Sequence, residues 1–98
     1  MGIHLTMYRV NGVWLNEHED VELDLHEVGE HDSLRYVGDR EFNNSVHKTY
    51  HPDDEEFWRP KSIEGAMQLI LAIAPKNRLV SSLKLLEEHE DYWFKTSY

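Results

Sequence analysis

The amino-acid sequence predicts an α+β fold in which an antiparallel sheet, made of an N-terminal meander and a C-terminal strand, carries a two-helix hairpin on one face. Three observations support this fold class. The first quarter of the chain alternates apolar and polar side chains, the pattern of half-buried strands. Two amphipathic stretches follow in the second half, and residues 92–98 end the chain with an aromatic, strand-forming segment. With 98 residues, the chain is predicted to be a single domain, residues 1–98, with one modest core.

The N-terminal part is predicted as a three-stranded meander. Residues 3–10 alternate and are rich in strand formers, and residues 13–15 form a second short strand. Between them lies Asn11-Gly12, and an Asn-Gly pair flanked by apolar residues favours a two-residue hairpin turn because both turn positions need positive φ. The third strand spans residues 20–25.

This third strand alternates strictly between acidic and apolar side chains. The apolar residues, which are predicted to face the core, are Val21, Leu23 and Leu25. Side chains on one face of a strand repeat every two residues, so the carboxylates of Asp20, Glu22 and Asp24 are expected about 6.8 Å apart. Such a row of negative charge resembles the charge spacing along one strand of a nucleic acid. The alternative interpretation is an ordinary solvated sheet face.

The middle of the chain gives weaker patterns. Residues 26–32 are predicted as a loop and residues 33–37 as a short strand. Residues 40–50 are compatible with a helical turn or a strand, and both alternatives stay open. Residues 52–56 are predicted as a surface loop, after which the aromatic residues in 57–60 return towards the core.

Two helices are predicted in the second half. The first spans residues 63–74, with Ser62 as its N-cap and Pro75 ending it. The second spans residues 78–89, with Asn77 as its cap. Glutamates at the C-terminal end of this second helix oppose its dipole, which indicates another role for them.

Charge and composition exclude several classes of function. The net charge is −9, which argues against direct binding to nucleic acid through a basic patch and favours basic partners. The chain has no cysteine, so it offers no disulfide and no thiolate nucleophile. No signal peptide and no apolar run long enough to span a membrane is visible, and a cytoplasmic location is therefore expected.

No catalytic or cofactor-binding residue is predicted. The chain has neither a Gly-x-Ser-x-Gly motif nor a glycine-rich phosphate loop. Among the seven histidines, His47 and His51 are four residues apart, but Pro52 disfavours a helix at His51, and on a strand the pair would lie about 13 Å apart. No metal site is therefore predicted, and the chain is not expected to be an enzyme. A small metal-dependent hydrolase that uses His and Asp residues is the alternative.

Three segments resemble small uncharacterised proteins encoded by bacteriophages. They are residues 1–5 (MGIHL), residues 57–60 (FWRP) before a helix, and residues 91–94 (DYWF). Phage proteins of this size, acidity and lack of cysteine are often stoichiometric inhibitors of host defence, including anti-restriction and anti-CRISPR proteins. The resemblance thus implies an inhibitor, and it transfers no catalytic residue.

The sequence therefore predicts an acidic, non-enzymatic binding protein that docks on a basic surface of a nucleic-acid-handling or defence protein of the host and blocks it sterically. Two acidic patches are predicted to contact this partner. They are Glu17, Glu19, Asp20, Glu22 and Asp24 in the first, and Asp53, Asp54, Glu55 and Glu56 in the second. The remaining alternative is a structural protein that self-associates, as a homodimer, through an exposed edge strand at residues 92–98.

Overall fold

The computed structural model describes residues 4–28 and 40–97, and it confirms the α+β fold class. Its elements, in chain order, are β1 (His4–Leu15), β2 (Val21–Glu27), α1 (Arg40–Ser45), β3 (Lys48–His51), β4 (Asp54–Pro60), α2 (Ile63–Ile73), α3 (Leu79–Glu88) and β5 (Tyr92–Ser97). The strands form one five-stranded antiparallel sheet in the order β2-β1-β5-β4-β3. The strand predicted at residues 33–37 lies outside the described residues.

The last strand is the central strand of this sheet. β5 pairs with β1 along one side and with β4 along the other. The prediction of an exposed edge strand at residues 92–98 is therefore wrong, because the fully buried Phe94 draws this aromatic segment into the middle of the sheet. Within the described part of the chain, the edge strands are β2 and β3.

The core lies between one face of the sheet and the helices. Residues opposite one another in antiparallel strands share a face, and Met7 lies opposite Phe94, which in turn lies opposite Trp58. All three helices pack against this face. They contribute Phe42 from α1, Ala66 and Ile70 from α2, and Leu79, Leu83 and Leu86 from α3.

β1 and β2 form a single long hairpin, so the predicted meander is wrong in its first turn. β1 runs without a turn through Asn11-Gly12, where the pairing only shifts register: Val10 lies opposite Leu25 and Val13 opposite Leu23. Gly12 has a φ of 139°, so the pair is accommodated as an irregularity within the ladder. The continuous strand is favoured over a turn at Asn11-Gly12 because the residues on both sides of the irregularity keep β2 as a partner.

The hairpin instead turns between Asn16 and Asp20. The side-chain oxygen of Asn16 accepts hydrogen bonds from the N–H groups of His18, at 2.8 Å, and Asp20, at 3.0 Å. The Asn16 N–H donates to the carbonyl oxygen of Asp20 at 3.0 Å. Glu19 completes the turn with a φ of 63°. An asparagine side chain that mimics the backbone in this way is a common turn former.

The segment left open at residues 40–50 contains both alternatives, because α1 is followed directly by β3. The predicted loop at residues 52–56 is shorter than expected. β4 already begins at Asp54, which lies opposite His51, so only Pro52 and Asp53 separate the two strands. Pairing with β3 thus extends β4 into its acidic N-terminal residues.

The cap of α2 follows the prediction, whereas the N-cap of α3 is Arg78, one residue after the predicted Asn77. The Gly65 N–H donates to the Ser62 hydroxyl at 3.0 Å, which confirms Ser62 as the N-cap of α2. The helix ends at Ile73, two residues before Pro75. The Leu79 N–H donates to the Asn77 side-chain oxygen at 2.8 Å, at the start of α3.

A half-buried arginine on β4, Arg59, binds the C-terminal end of α3. The Arg59 guanidinium donates to four carbonyl oxygens at 2.6 to 3.1 Å. They belong to Leu86, His89, Glu90 and Tyr92. Burial lowers the pKa of Arg59, while the charges of Glu90 and Asp91 act in the opposite direction. A cation therefore offsets the helix dipole and the acidic residues that looked misplaced at this helix end.

Candidate protein-interaction site

The β1–β2 hairpin extends beyond the rest of the sheet. β1 pairs with β5 only from His4 to Arg9, whereas its pairing with β2 continues to Leu15. Residues 11–25, here called the arm, thus form a two-stranded extension. A two-stranded ribbon has no second layer of its own, so both of its faces are available to solvent or to a partner.

One face of the arm is apolar. Val13 lies opposite Leu23, Leu15 lies opposite Val21, and alternation places Leu25 on the same side. We call these five residues the apolar strip. Leu15 is 64 % exposed, Val13 52 %, Val21 51 % and Leu25 38 %, while Leu23 is half-buried.

The prediction that Val21, Leu23 and Leu25 face the core is therefore wrong. The alternation is real, and so is the strand. The core positions of β1 are Leu5 and Met7, which precede the arm. Leu25 lies opposite Val10, which shares its face with Tyr8, so the apolar strip is on the face of the sheet away from Met7 and receives no covering layer from the described helices.

The opposite face of the arm is acidic, as predicted. Glu22 lies opposite Trp14, and Asp24 shares this face by alternation. Trp14 is 51 % exposed. Glu22 accepts a hydrogen bond from the Asn16 amide at 3.0 Å, which ties it to the turn. We call Asp20, Glu22 and Asp24 the acidic row.

All members of the first predicted patch lie on the arm. Glu17 and Glu19 belong to its turn, next to the acidic row, and all five carboxylates are exposed. The arm contains no lysine or arginine. Its only other ionisable group is His18, beside Glu17 at 3.5 Å. The arm therefore carries five of the chain's nineteen acidic residues without a compensating Lys or Arg of its own.

The second predicted patch is separate from the first. Residues 53–56 lie at the β3–β4 turn and the start of β4, and β3 is the sheet edge opposite β2. Glu56 forms an ion pair with Lys95 at 3.3 Å. The Asp54 side chain accepts a hydrogen bond from the Glu56 N–H at 3.0 Å. The structure thus does not bring the two patches together into one surface.

A polar cluster that the sequence did not predict joins α1 to the sheet. The Trp58 indole N–H donates to the Thr96 hydroxyl at 2.8 Å, which donates to the Asn43 side-chain oxygen at 3.0 Å. Lys48 donates to the Asn43 carbonyl oxygen and lies 4.9 Å from the Trp58 ring centre. Burial lowers the pKa of Lys48. These residues line a cavity of about 250 Å³.

The role of this polar cluster is structural, because its side chains satisfy one another and connect α1 to the sheet. Each of the polar side chains just described has a hydrogen-bond partner, and among the described residues no buried side-chain nitrogen or oxygen lacks one. Asn43 is 3 % exposed and therefore needs the partners that it has. No sequence pattern relates Asn43 to Thr96, because the contact spans 53 residues.

The histidines of the described residues are dispersed. The Nδ1 atom of His51 accepts a hydrogen bond from the Asp53 N–H at 3.1 Å, and the centre of its ring lies 4.6 Å from that of the Trp93 ring. His47 is exposed. In residues 4–28 and 40–97, no three His, Asp or Glu side chains are placed so that they could hold a metal ion. The hydrolase alternative gains no ligand set from these residues.

No protein-family model matches this chain, and neither a curated protein nor a solved structure matches it. The resemblance to phage proteins therefore stays a prediction. Among the described helices, none is long and apolar enough to cross a membrane.

Proposed function

We propose that this chain is a non-enzymatic binding protein that docks its arm on a basic surface of another protein. The observation that carries this proposal is the composition of the arm, where an exposed apolar strip lies back to back with an exposed acidic row. Both belong to one hairpin, so a single element presents them. Protein interfaces combine apolar contact area with charged residues, and the two faces of the arm offer both to a partner that pairs along its edge.

The apolar strip would supply the binding energy. Burial of apolar surface contributes about 25 cal/mol per Å². Trp14, on the other face, is the residue type most enriched among interface anchors. A hairpin that served only as a solvated extension would need neither, since polar residues on both faces would form the same ladder.

The acidic residues specify the chemistry of the partner. Five carboxylates without a Lys or Arg on the arm, within a chain of net charge −9, favour a basic protein surface. Charges at the rim of an interface mainly accelerate association and make it depend on ionic strength. Phosphates of a nucleic acid would be repelled. The proposed contact residues are Glu17, Glu19, Asp20, Glu22 and Asp24.

Basic surfaces of this kind are typical of proteins that bind nucleic acids. Together with the resemblance stated above, this makes a nucleic-acid-handling or defence protein of a bacterial host, in the cytoplasm, the proposed target. The arm would occupy its basic surface and block it sterically. The patch at residues 53–56 lies at the other edge of the sheet and is not needed for this contact.

The test is affinity capture from host lysate with three forms of the chain. These are the wild type, an arm variant carrying Trp14→Ala and Leu15→Ser, and a control variant carrying Asp53→Asn and Glu55→Gln. We expect one stoichiometric partner with the wild type and the control and its loss with the arm variant. Retention of the same partner by the arm variant, confirmed by calorimetry with the purified partner, would contradict the proposal.

Self-association is the second candidate function, because β2 is an edge strand and the apolar strip is exposed. A homodimer formed through β2 would place two acidic rows next to one another. Like charges on neighbouring strands destabilise the pairing, and the basic partner is therefore the better candidate. Sedimentation equilibrium at low and high salt tests the homodimer.

A further inference from the structure

The outer side of β2 carries main-chain groups that pair with no strand of the described residues. β2 pairs with β1 on one side, and among the described residues no strand pairs with it on the other. An edge of this kind presents a row of N–H and C=O groups to any extended chain that approaches it.

The pairing identifies which residues of β2 present these groups. In an antiparallel ladder, pairs that exchange hydrogen bonds alternate with pairs that do not. At the turn, Asn16 bonds to Asp20, so the next pair, Leu15 with Val21, is not bonded across the hairpin. The alternation then places Leu23 in the same class.

The other end of the hairpin gives the same result. The Val28 N–H donates to the Met7 carbonyl oxygen at 3.1 Å. Counting from this bonded pair, Arg9 with His26 is bonded and Val10 with Leu25 is not. The main-chain groups of Val21, Leu23 and Leu25 therefore point away from β1, to the open edge.

The two faces of β2 differ in chemistry along this edge. The three residues whose main-chain groups point away from β1 belong to the apolar strip, and the acidic row occupies the positions between and before them. A strand added here would meet apolar side chains on one face and carboxylates on the other. The side chains of the added strand would therefore have to alternate between residues that suit the apolar face and residues that suit the acidic face.

We propose that the arm recognises an extended segment of its partner, which adds to the outer edge of β2 as an antiparallel strand and alternates apolar with basic residues. This inference rests on the proposed function and names the form of the partner. Main-chain hydrogen bonds from these three positions of β2 hold the segment, and its Lys or Arg side chains lie beside the acidic row. Its apolar residues lie beside the apolar strip.

Charge also separates this partner from a second copy of the chain. Two β2 edges paired with one another would bring carboxylates together on one face. Charged side chains on edge strands commonly prevent such self-pairing. A basic segment turns the same carboxylates into attractive neighbours, so the acidic row selects for it.

The direct test uses synthetic peptides and nuclear magnetic resonance. The probe is an eight-residue peptide that alternates Lys and Val, and its control has the same composition with all Lys before all Val. We expect the alternating peptide to bind about tenfold more tightly, since only it can satisfy both faces of a strand. It should also slow amide hydrogen exchange at Val21, Leu23 and Leu25. Equal affinity of the two peptides, or unchanged exchange at these three amides, would overturn strand addition.

A second pair of peptides tests the main-chain contacts themselves. In the added strand, the valine amides face β2 and the lysine amides face away, because bonded residues opposite one another share a face. N-methylation of every valine in the alternating peptide should therefore weaken binding about tenfold or more, whereas N-methylation of every lysine leaves it unchanged. Equal affinity of the two methylated peptides would contradict the proposal.

The outcomes for the two proposals are distinguishable. If the arm variant of the capture experiment keeps its partner, the proposed function fails. If the arm variant loses the partner while both methylated peptides bind equally, the arm docks through side chains alone and only strand addition fails. If hydrogen exchange at the three amides becomes slower as the protein concentration is raised, without any peptide, the edge pairs with a second copy and the inference is overturned.

Discussion

The two halves of β1 have the same alternating pattern and opposite environments. In the first half, Leu5 and Met7 are fully buried under the helices, at 0 % exposure. In the second half, Val13 and Leu15 are more than half exposed. The register shift at Asn11-Gly12 puts Val13 and Leu15 on the face of Tyr8 and Val10, away from the helix layer that covers Leu5 and Met7. A pattern of side chains therefore identifies a face of a strand, whereas another element must cover it.

The largest expected effect concerns the helix layer. Ile70 is fully buried on α2, so Ile70→Asp places an unpaired charge in the core and should abolish cooperative folding. Its counterpart on the arm is Leu15→Asp, which adds a charge at an exposed position and should leave the thermal midpoint within a few degrees. Circular dichroism melts of both variants test this. A cooperative Ile70→Asp melt near the wild-type midpoint would show that the helix layer is assigned wrongly.

A second comparison uses truncations within the two faces of the hairpin. Met7→Ala removes a fully buried side chain and should lower the free energy of unfolding by about 2–5 kcal/mol. Leu23→Ala, on the arm, would have cost the same if the residue faced the core, but at a half-buried position we expect about 1 kcal/mol or less. Urea unfolding measures both. A Leu23→Ala cost as large as that of Met7→Ala would indicate that the apolar strip is covered in solution.

The third prediction concerns the connection of α3 to the sheet. Arg59→Met keeps the apolar stem and removes the cation, leaving several carbonyl oxygens at the end of α3 without their donor. Loss of hydrogen bonds from a charged group should lower the free energy of unfolding by about 2–3 kcal/mol. The matched control is the exposed Arg78, where the same substitution should change it by about 0.5 kcal/mol or less. If urea unfolding gave similar losses in the free energy of unfolding for both variants, Arg59 would not stabilise the contact between α3 and the sheet.

The smallest expected effect on stability belongs to the acidic row. Joint replacement of Asp20, Glu22 and Asp24 by Asn, Gln and Asn should change the free energy of unfolding by about 0.5 kcal/mol or less, because these side chains are exposed. Binding to the captured partner should weaken by about 1–2 kcal/mol and lose most of its salt dependence. Calorimetric titrations at two salt concentrations test this. An unchanged affinity and salt slope would make the row an ordinary solvated sheet face.

Local chemistry in the sequence determined much of this protein. Ser62 and Asn77 accept hydrogen bonds at the helix starts because the groups involved are only two or three residues away. Pro75 follows the end of α2 for the same kind of reason. Strict alternation from Asp20 to Leu25 identified a strand and placed its carboxylates on one exposed face, which is the part of the candidate site that was predicted from sequence.

Tertiary structure alone decided where these elements lie and what covers them. Asn11-Gly12 is compatible with a turn and with an irregular position in a ladder, and the choice depended on the continued pairing of Val13 with Leu23. The central place of β5 and the contact of Arg59 with the end of α3 join residues far apart in the chain. Burial is a property of pairs of elements, so a sequence pattern that describes one element at a time could not show that the apolar strip remains exposed.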